Sequence, residues 1–356
     1  MYICRLCLVV SFAAGVAMAQ PTAAPPRGWV MQDSGSGAGL RGIDSVDGTV
    51  AWASGTEGTV LRTTDGGAHW TKCAVPDADK DGATLDFRGV QAWDANTAIV
   101  MASGPGDKSR LYKTSDGCKT WRLLFANPDK GGFWDAVSVA DQSNLMILGD
   151  PVDGRFSVFE TQDGGKSWSK EKDEGLNSND KEGAFAASNS SMLVNWIDGP
   201  AVFGAGGPSG ARLFYQCDTC KSRAQWTAST IPCFPRGQAA GIFSLNYRDW
   251  RYLIAVGGDY TKPNESSGTA ARSSDGGRHW TASTIPPHGY RSAVEWSKSL
   301  KAWITAGTNG SDISRDDGRT WQPLDNGNWN ALSLPFIVGP KGRIGRLDAS
   351  AIPKGN

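Results

Sequence analysis

The chain has 356 residues, including 45 Gly and 18 Pro, and 39% of them are apolar, so it is turn-rich and long enough for one large domain or two ordinary ones. Thirty-six basic residues balance 36 acidic ones, which argues against nucleic acid as a partner. The three histidines, His69, His279 and His288, are too scattered for a His-rich zinc site, and the common P-loop, HExxH, GxSxG and dinucleotide motifs are absent. We therefore expect no metal and no organic cofactor.

The N-terminal segment predicts export. Arg5 precedes an apolar run from Leu6 to Val16, and Ala17-Met18-Ala19 has the small residues of a signal-peptidase site. We expect residues 1–19 to be a signal peptide and residues 20–27 to be a flexible leader. The run is too short for a permanent anchor and no later segment resembles a transmembrane helix, so the mature chain is expected to be periplasmic or secreted. A lipoprotein is less favoured, because Cys4 and Cys7 come before the apolar run ends.

A motif of the form Ser/Thr-x-Asp-x-Gly-x-x-Trp recurs along the mature chain. Full copies begin at Thr63, Thr161, Ser273 and Ser314. The copy from Thr114 to Trp121 has Cys118 in place of its second glycine, and residues 216–226 form a lengthened copy that keeps Asp218 and Trp226. Periods of about 40 to 55 residues are typical of a propeller or another stacked array.

Each repeat divides into four short predicted strands. An apolar run that ends in glycine precedes every box, and a seventh such run, Phe336-Ile337-Val338-Gly339, follows the last one. We therefore predict an all-β, seven-bladed propeller over residues 28–349, with residues 350–356 as a tail. Trp29 to Gln32 is predicted to supply the outer strand that the seventh blade lacks, which would close the ring and remove its exposed edges.

The box is predicted to form the hairpin between the third and fourth strands of a blade. Its aspartate would accept backbone N–H bonds, its glycine would adopt a positive φ, and its tryptophan would pack over the next strand. His69 and His279 would then be exposed hairpin residues. We expect the box aspartates to be structural: Asp65, Asp116, Asp163, Asp275 and Asp316.

These boxes are similar to the BNR or Asp-box repeats of sialidases, sortilin-type receptors and many secreted propellers. With leading strands such as Leu40-Arg41-Gly42 and Phe87-Arg88-Gly89, the chain most resembles the photosystem II stability/assembly factor family and its bacterial relatives. That resemblance implies a non-enzymatic scaffold that binds a protein partner, such as a membrane-protein assembly intermediate, through an arginine-containing surface.

The first strands of the blades should carry the function, because propeller sites lie at the mouth of the central channel. Aligning their openings places Arg41, Arg88 and Arg291 around that mouth, where three guanidiniums would form an anion receptor. The alternative is that each arginine is neutralised locally by Asp135, Glu182, Asp150 or Asp153. The predicted ligand-binding residues are Arg41, Arg88, Arg291, Trp134, Asp135, Glu182, Tyr290 and Asn330.

Two other functions are compatible with these residues at the channel mouth. A sialidase-like glycoside hydrolase would employ Tyr290 as nucleophile, Glu182 as its base and Asp135 as acid. The Phe-Arg-Ile-Pro type of motif is missing, however, and seven blades rather than six also argue against it. The other alternative is a glycan-binding propeller whose ligand is an anionic polysaccharide.

Five cysteines follow the leader: Cys73, Cys118, Cys217, Cys220 and Cys233. Export permits disulfides, and the sequence leaves open a bridge among the last three or a bridge from Cys73 to Cys118 between adjacent blades. Two insertions, Asp77 to Thr84 and Lys262 to Thr269, could carry partner contacts. Glycosylation triplets begin at Asn189, Asn264 and Asn309, and they matter only in a host that glycosylates.

Overall fold

The computed structural model describes residues 28–194, 201–216, 225–249 and 251–352. These residues form seven antiparallel four-stranded sheets, so the predicted seven-bladed propeller is confirmed. The predicted signal peptide and leader lie outside the described residues, as do Cys217, Asp218 and Cys220. No helix in the described part of the chain is long and apolar enough to cross a membrane.

The strands follow one another from the inner to the outer edge of each blade. Blade 1 consists of Leu40–Ser45, Ala51–Gly55, Val60–Thr63 and Thr71–Lys72. Blade 2 consists of Phe87–Ala92, Ala98–Ala102, Arg110–Thr114 and Arg122–Ala126. Blade 3 consists of Trp134–Val139, Leu145–Val152, Arg155–Thr161 and Ser169–Lys170. Blade 4 consists of Met192–Leu193, Val202–Ala205, Ala211–Gln216 and Trp226–Ile231. Blade 5 consists of Ala240–Tyr247, Leu253–Asp259, Ala270–Ser273 and Thr281–Ala282. Blade 6 consists of Ala293–Ser297, Ala302–Gly307, Gly310–Ser314 and Gln322–Asp325. Short 3₁₀ turns lie at Gly82–Thr84, Gly106–Lys108, Glu174–Leu176 and Ala349–Ala351.

Blade 7 joins the two ends of the described chain. Its inner three strands are Ala331–Ser333, Phe336–Val338 and Ile344–Leu347, and its outer strand is Trp29–Gln32. The outer strand pairs from Trp29 with Leu347 to Gln32 with Ile344, as the sequence predicts. Trp29 is buried against the ring of Trp329, and its Nε1 donates to Ser311 Oγ of blade 6 at 3.0 Å. Closure therefore rests on side-chain packing as well as on the backbone ladder.

The hydrophobic core lies between neighbouring blades rather than at the centre of the ring. The second strand of blade 1, for example, is buried along its whole length because its two faces contact different neighbours. Trp52 from that strand packs with Val90 and Val100 of blade 2. A continuous apolar run thus becomes a middle strand that is covered on both faces.

The box hairpins make the local hydrogen bonds that the motif predicts. In the first box, the Thr63 hydroxyl donates to Asp65 Oδ1 at 2.9 Å and accepts the Gly67 N–H, while the His69 N–H donates to Asp65 Oδ1. These bonds, led by the one from the His69 backbone, lower the pKa of Asp65 to about 2. The same pattern recurs at Asp116, Asp163, Asp275 and Asp316.

A disulfide joins Cys73 of blade 1 to Cys118 in the blade 2 box, with a Cα–Cα distance of 5.3 Å. The bridge is the interblade alternative that the sequence left open. Cys118 has a φ of 64°, since it replaces the glycine that the turn favours. Cys233 is a half-buried free thiol.

Candidate binding surface at the channel mouth

The first strands have a common register that decides which side chains reach the channel. In every blade except blade 4, one residue at the start of the first strand is buried in the core between blades. In blades 1, 2, 3 and 5 the residue that follows it forms a β-bulge. The core positions, all fully buried, are Leu40, Phe87, Trp134, Ile242, Arg291 and Trp329. The mouth positions that follow them are Arg41, Arg88, Asp135, Phe243, Ser292 and Asn330.

Two of the three predicted arginines lie together at the mouth. Asp86 stands between them: Arg88 Nε donates to its Oδ2 at 2.8 Å, while Arg41 Nε lies 3.8 Å from its Oδ1. Arg41 Nε and Asp86 Oδ1 have no hydrogen-bond partner within the described residues. One carboxylate therefore serves two guanidiniums and satisfies only one of them closely.

The Arg88 guanidinium has two further contacts besides Asp86. Its Nη1 donates to the Ala186 carbonyl at 3.2 Å, and its guanidinium lies 6.0 Å from the centre of the Phe133 ring. The side chain remains 28% exposed, which leaves part of the guanidinium accessible to a partner.

Asp135 occupies the neighbouring mouth position in blade 3 and is only 2% exposed. Its Oδ2 has no hydrogen-bond partner in the part of the chain that the structure describes. Burial raises the pKa of Asp135 well above its usual range, the nearby Asp150 raises it further, and Arg88 opposes both effects. Asp150 accepts the Ala184 N–H at 3.1 Å, and burial raises its pKa to about 6.

Arg291 does not belong to this cluster, so the prediction of three convergent arginines is wrong in its geometry. Its backbone N–H bonds to Gly257 O, as that of Leu40 bonds to Gly339 O, which places Arg291 one register position earlier than Arg41. The side chain is fully buried, and its Nε donates to Asp312 Oδ2 at 2.6 Å. A local carboxylate neutralises Arg291, although Asp312 was not among the candidates from the sequence.

The other predicted site residues have structural partners. Trp134 is fully buried and stacks on Phe125, with ring centroids 5.4 Å apart. Asn330 Nδ2 donates to Leu40 O at 2.7 Å across the seam between blades 7 and 1. These positions place both side chains in contacts that hold blades together.

Glu182 and Tyr290, the proposed base and nucleophile of a sialidase, are not paired with each other. Both carboxylate oxygens of Glu182 accept from Arg212, and Oε2 also accepts the Asn179 N–H at 2.7 Å. Tyr290 is buried, and burial raises the pKa of its hydroxyl far above the usual range. A neutral phenol without an activating carboxylate is a poor nucleophile.

An aromatic cluster lies on the opposite side of the mouth, and of its members the sequence singled out Tyr290 alone. Phe185 stacks on Phe243 with ring centroids 3.8 Å apart, and Tyr290 meets Phe243 edge-on at 4.8 Å. Tyr260 completes the cluster and is 53% exposed. Counting one residue past each core position would have identified Phe243 as a mouth residue.

Residues 184–191 cross the channel and contact inner strands of four other blades. Ser188 Oγ donates to Ser292 O in blade 6 at 2.6 Å, and Ser190 and Ser244 of blade 5 share a 2.7 Å hydroxyl contact. Asn189 Oδ1 accepts the Val137 N–H of blade 3 at 2.8 Å. We call residues 184–191 the plug.

The plug lies beneath the mouth and contacts both Arg88 and the aromatic cluster. A Cβ at Gly89 would lie 2.8 Å from Asn189 Oδ1, so a larger residue at position 89 would displace the Asn189 side chain of the plug. Phe185 and Ala186, at the start of the plug, contact the aromatic cluster and Arg88 respectively. Because Asn189 is engaged inside the ring, its glycosylation triplet is not presented as a surface acceptor.

Among the described residues, no three His, Cys, Asp or Glu side chains form a group that could hold a metal ion. The mouth presents two guanidiniums that can bind an anion, a buried carboxyl group and, across the plug, an aromatic surface.

No family model matches the chain. The photosystem II assembly lipoprotein Ycf48 of Synechococcus sp. (strain CC9902) is 21% identical over 365 residues, which cover 98% of this chain and 96% of that protein. YCF48 from Cyanidioschyzon merolae has a TM-score of 0.63 at 15% identity, covering 91% of this chain and 99% of that one. A structure of YCF48 bound to D1 peptide gives a TM-score of 0.43 at 15% identity and covers 91% and 98%. The chain is thus a homologue of Ycf48 by its sequence and shares the fold of YCF48 from Cyanidioschyzon merolae, in agreement with the resemblance seen in its repeats.

Proposed function

We propose that this Ycf48 homologue is an exported, non-enzymatic scaffold that binds a D1-like segment of a membrane-protein assembly intermediate at the mouth of its propeller. The sequence relative is named as an assembly lipoprotein of photosystem II, and the match covers nearly the whole of both chains. That relative supports a protein partner and a location outside the cytoplasm.

The arginine pair is the observation that carries the choice of surface. Arg41 and Arg88 stand on rigid inner strands, are 36% and 28% exposed, and share one carboxylate, Asp86. Guanidiniums in this arrangement keep donors for a carboxylate of the partner. The aromatic cluster, with Tyr260 exposed, adds an apolar contact surface of the kind that protein interfaces favour.

The glycoside-hydrolase alternative is not retained. It needs three arginines on one anion and a tyrosine activated by glutamate, whereas Arg291 is bound to Asp312 and Glu182 is bound to Arg212.

The double variant Arg41→Ala/Arg88→Ala is expected to weaken binding of D1 peptides about 100-fold, because it removes two charge-assisted contacts of about 1.5 kcal/mol each. Overlapping synthetic peptides that cover D1 provide the probe, and isothermal titration calorimetry measures affinity. Stability should change by no more than about 1 kcal/mol, since partly exposed ion pairs contribute little.

The matched control replaces Arg122 and Arg278, two exposed arginines on an outer strand and on a box hairpin, by alanine. This control should bind with the affinity of the unmodified chain. Unaltered binding by Arg41→Ala/Arg88→Ala would remove the mouth as the site, and failure of every D1 peptide to bind the unmodified chain would remove a D1-like partner.

A further inference from the structure

The mouth contains more carboxylates than guanidiniums. We define the mouth cluster as Arg41, Asp86, Arg88, Asp135 and Asp150. With every member ionised its formal charge is two positive and three negative, a net of −1. Protonation of Asp135 and Asp150 would change this net charge to +1, so the sign of the cluster depends on those two carboxyl groups.

Asp135 is placed where its ionisation acts directly on Arg88. It is 98% removed from solvent and leaves Oδ2 without a hydrogen-bond partner among the described residues, while Arg88 directs its Nε to Asp86. An ionised carboxylate with an unsatisfied oxygen is costly in such a site, whereas a protonated one has a donor to offer.

We propose, on the basis of the proposed function, that Asp135 and Asp150 make the mouth an acid-activated anion receptor, which captures a carboxylate of the partner at mildly acidic pH and releases it at alkaline pH. Protonation removes the negative charge of Asp135, which interacts with Arg88, and that of Asp150, which interacts with Asp135, so that Asp86 is the carboxylate left opposite Arg41 and Arg88. Ionisation restores the negative charges and repels the anion.

The direction of this effect follows from the pKa values of the two carboxyl groups. Burial raises both pKa values, and that of Asp150, about 6, lies between pH 5.5 and pH 8.0, so Asp150 loses its proton over that interval. Anion affinity must therefore fall, not rise, between pH 5.5 and pH 8.0.

Other charged groups around the cluster do not provide the same switch. Glu182, before the first strand of blade 4, forms an ion pair with Arg212, and the plug contains no titratable residue. Asp153 is exposed at the tip of its hairpin, where water screens its charge. Blade 1 contributes Arg41, and blade 2 contributes Asp86 and Arg88. Burial also raises the pKa of Asp44 to about 6 and that of Glu295 to about 7, but these carboxyl groups accept the Ala92 and Leu334 N–H groups and form no ion pair with Arg41 or Arg88.

Titration with sulfate tests the inference without any protein partner. Sulfate keeps its charge from pH 5.5 to pH 8.0, and ¹H–¹⁵N spectra of the Arg41 and Arg88 Nε–H groups report its binding. We expect sulfate to bind about tenfold more tightly at pH 5.5 than at pH 8.0. The variant Asp135→Asn/Asp150→Asn should bind equally at both pH values, to within about twofold, with the affinity that the unmodified chain has at pH 5.5.

Asp153→Asn is the matched control, because it removes one acidic charge from the same hairpin as Asp150 and should leave the pH dependence unchanged. The single variants Asp135→Asn and Asp150→Asn provide the test if the double variant fails to fold, and each should weaken the pH dependence. Equal sulfate affinity at both pH values in the unmodified chain, no sulfate binding at either, or full pH dependence in the asparagine variants would overturn the inference. Absence of D1-peptide binding together with pH-dependent sulfate binding would instead remove only the proposed partner.

Discussion

Trp29→Ala is expected to destabilise the propeller by about 3–5 kcal/mol, the usual cost of removing a buried tryptophan. The ring of Trp29 is 4% exposed and packs on Trp329, and its Nε1 donates to Ser311 of blade 6. The substitution would leave a cavity at the seam where the two ends of the described chain meet. Urea unfolding followed by tryptophan fluorescence and circular dichroism measures the effect.

The neighbouring residues on the same strand provide matched controls. Val30 and Met31 are 56% and 44% exposed, so alanine at either position should change stability by less than about 0.5 kcal/mol. If Trp29→Ala were as mild as these controls, side-chain packing by the N-terminal strand would not hold the ring closed.

Loss of the Cys73–Cys118 disulfide is expected to cost about 4 kcal/mol, which chain entropy predicts for a bridge that closes a loop of this length. The two cysteines are 45 residues apart, and the loop between them includes the first three strands of blade 2 and Asp86 of the mouth cluster. Cys73→Ala/Cys118→Ala should therefore unfold at much lower urea concentration, measured without reductant.

Two further variants separate the bridge from its surroundings. Cys233→Ala removes a half-buried free thiol and should shift stability by at most about 1 kcal/mol. Cys73→Ala/Cys118→Gly should recover about 1 kcal/mol relative to the double alanine variant, because glycine adopts the positive φ of residue 118 without strain. A double alanine variant as stable as Cys233→Ala would show that the bridge contributes nothing to folding.

Blade count and ring closure could be predicted because they depend on repetition. A box aspartate with its glycine and tryptophan specifies one hairpin, and an apolar run that ends in glycine specifies one covered middle strand. Seven runs with six boxes leave one outer strand to find, and Trp29–Gln32 was the available segment. These are local signals, which survive without knowledge of tertiary contacts.

The composition of the mouth could be predicted only in part, because it depends on register to within one residue. Leu40 and Phe87 mark the core position, so the sequence could align Arg41 with Arg88, and the structure has both arginines next to Asp86. Arg291 occupies a core position itself, and a charged residue there gives no apolar signal for the register. Its partner Asp312 lies on another strand, so the ion pair that makes burial tolerable could not be read from local spacing.

The plug was not predicted, because Glu182 to Phe185 were aligned with the openings of the first strands, whereas the first strand of blade 4 is Met192–Leu193. Its Ala, Ser and Asn side chains are small enough to enter the channel and polar enough to bond the inner strands, but neither property is specific to that place. The sequence offered Asp150 among the possible partners of the arginines but did not single out Asp86, although Asp86 lies only two residues before Arg88 and accepts its Nε–H.

Hydrogen–deuterium exchange on the unmodified chain, with and without a saturating D1 peptide at pH 5.5, tests most directly whether the mouth is the partner surface. We expect protection of backbone amides confined to the segments around Arg41, Asp86 to Arg88, Phe133 to Asp135 and Phe185, with the box hairpins unaffected. Protection confined to the box hairpins or to the outer strands, with exchange at the mouth unchanged, would contradict it.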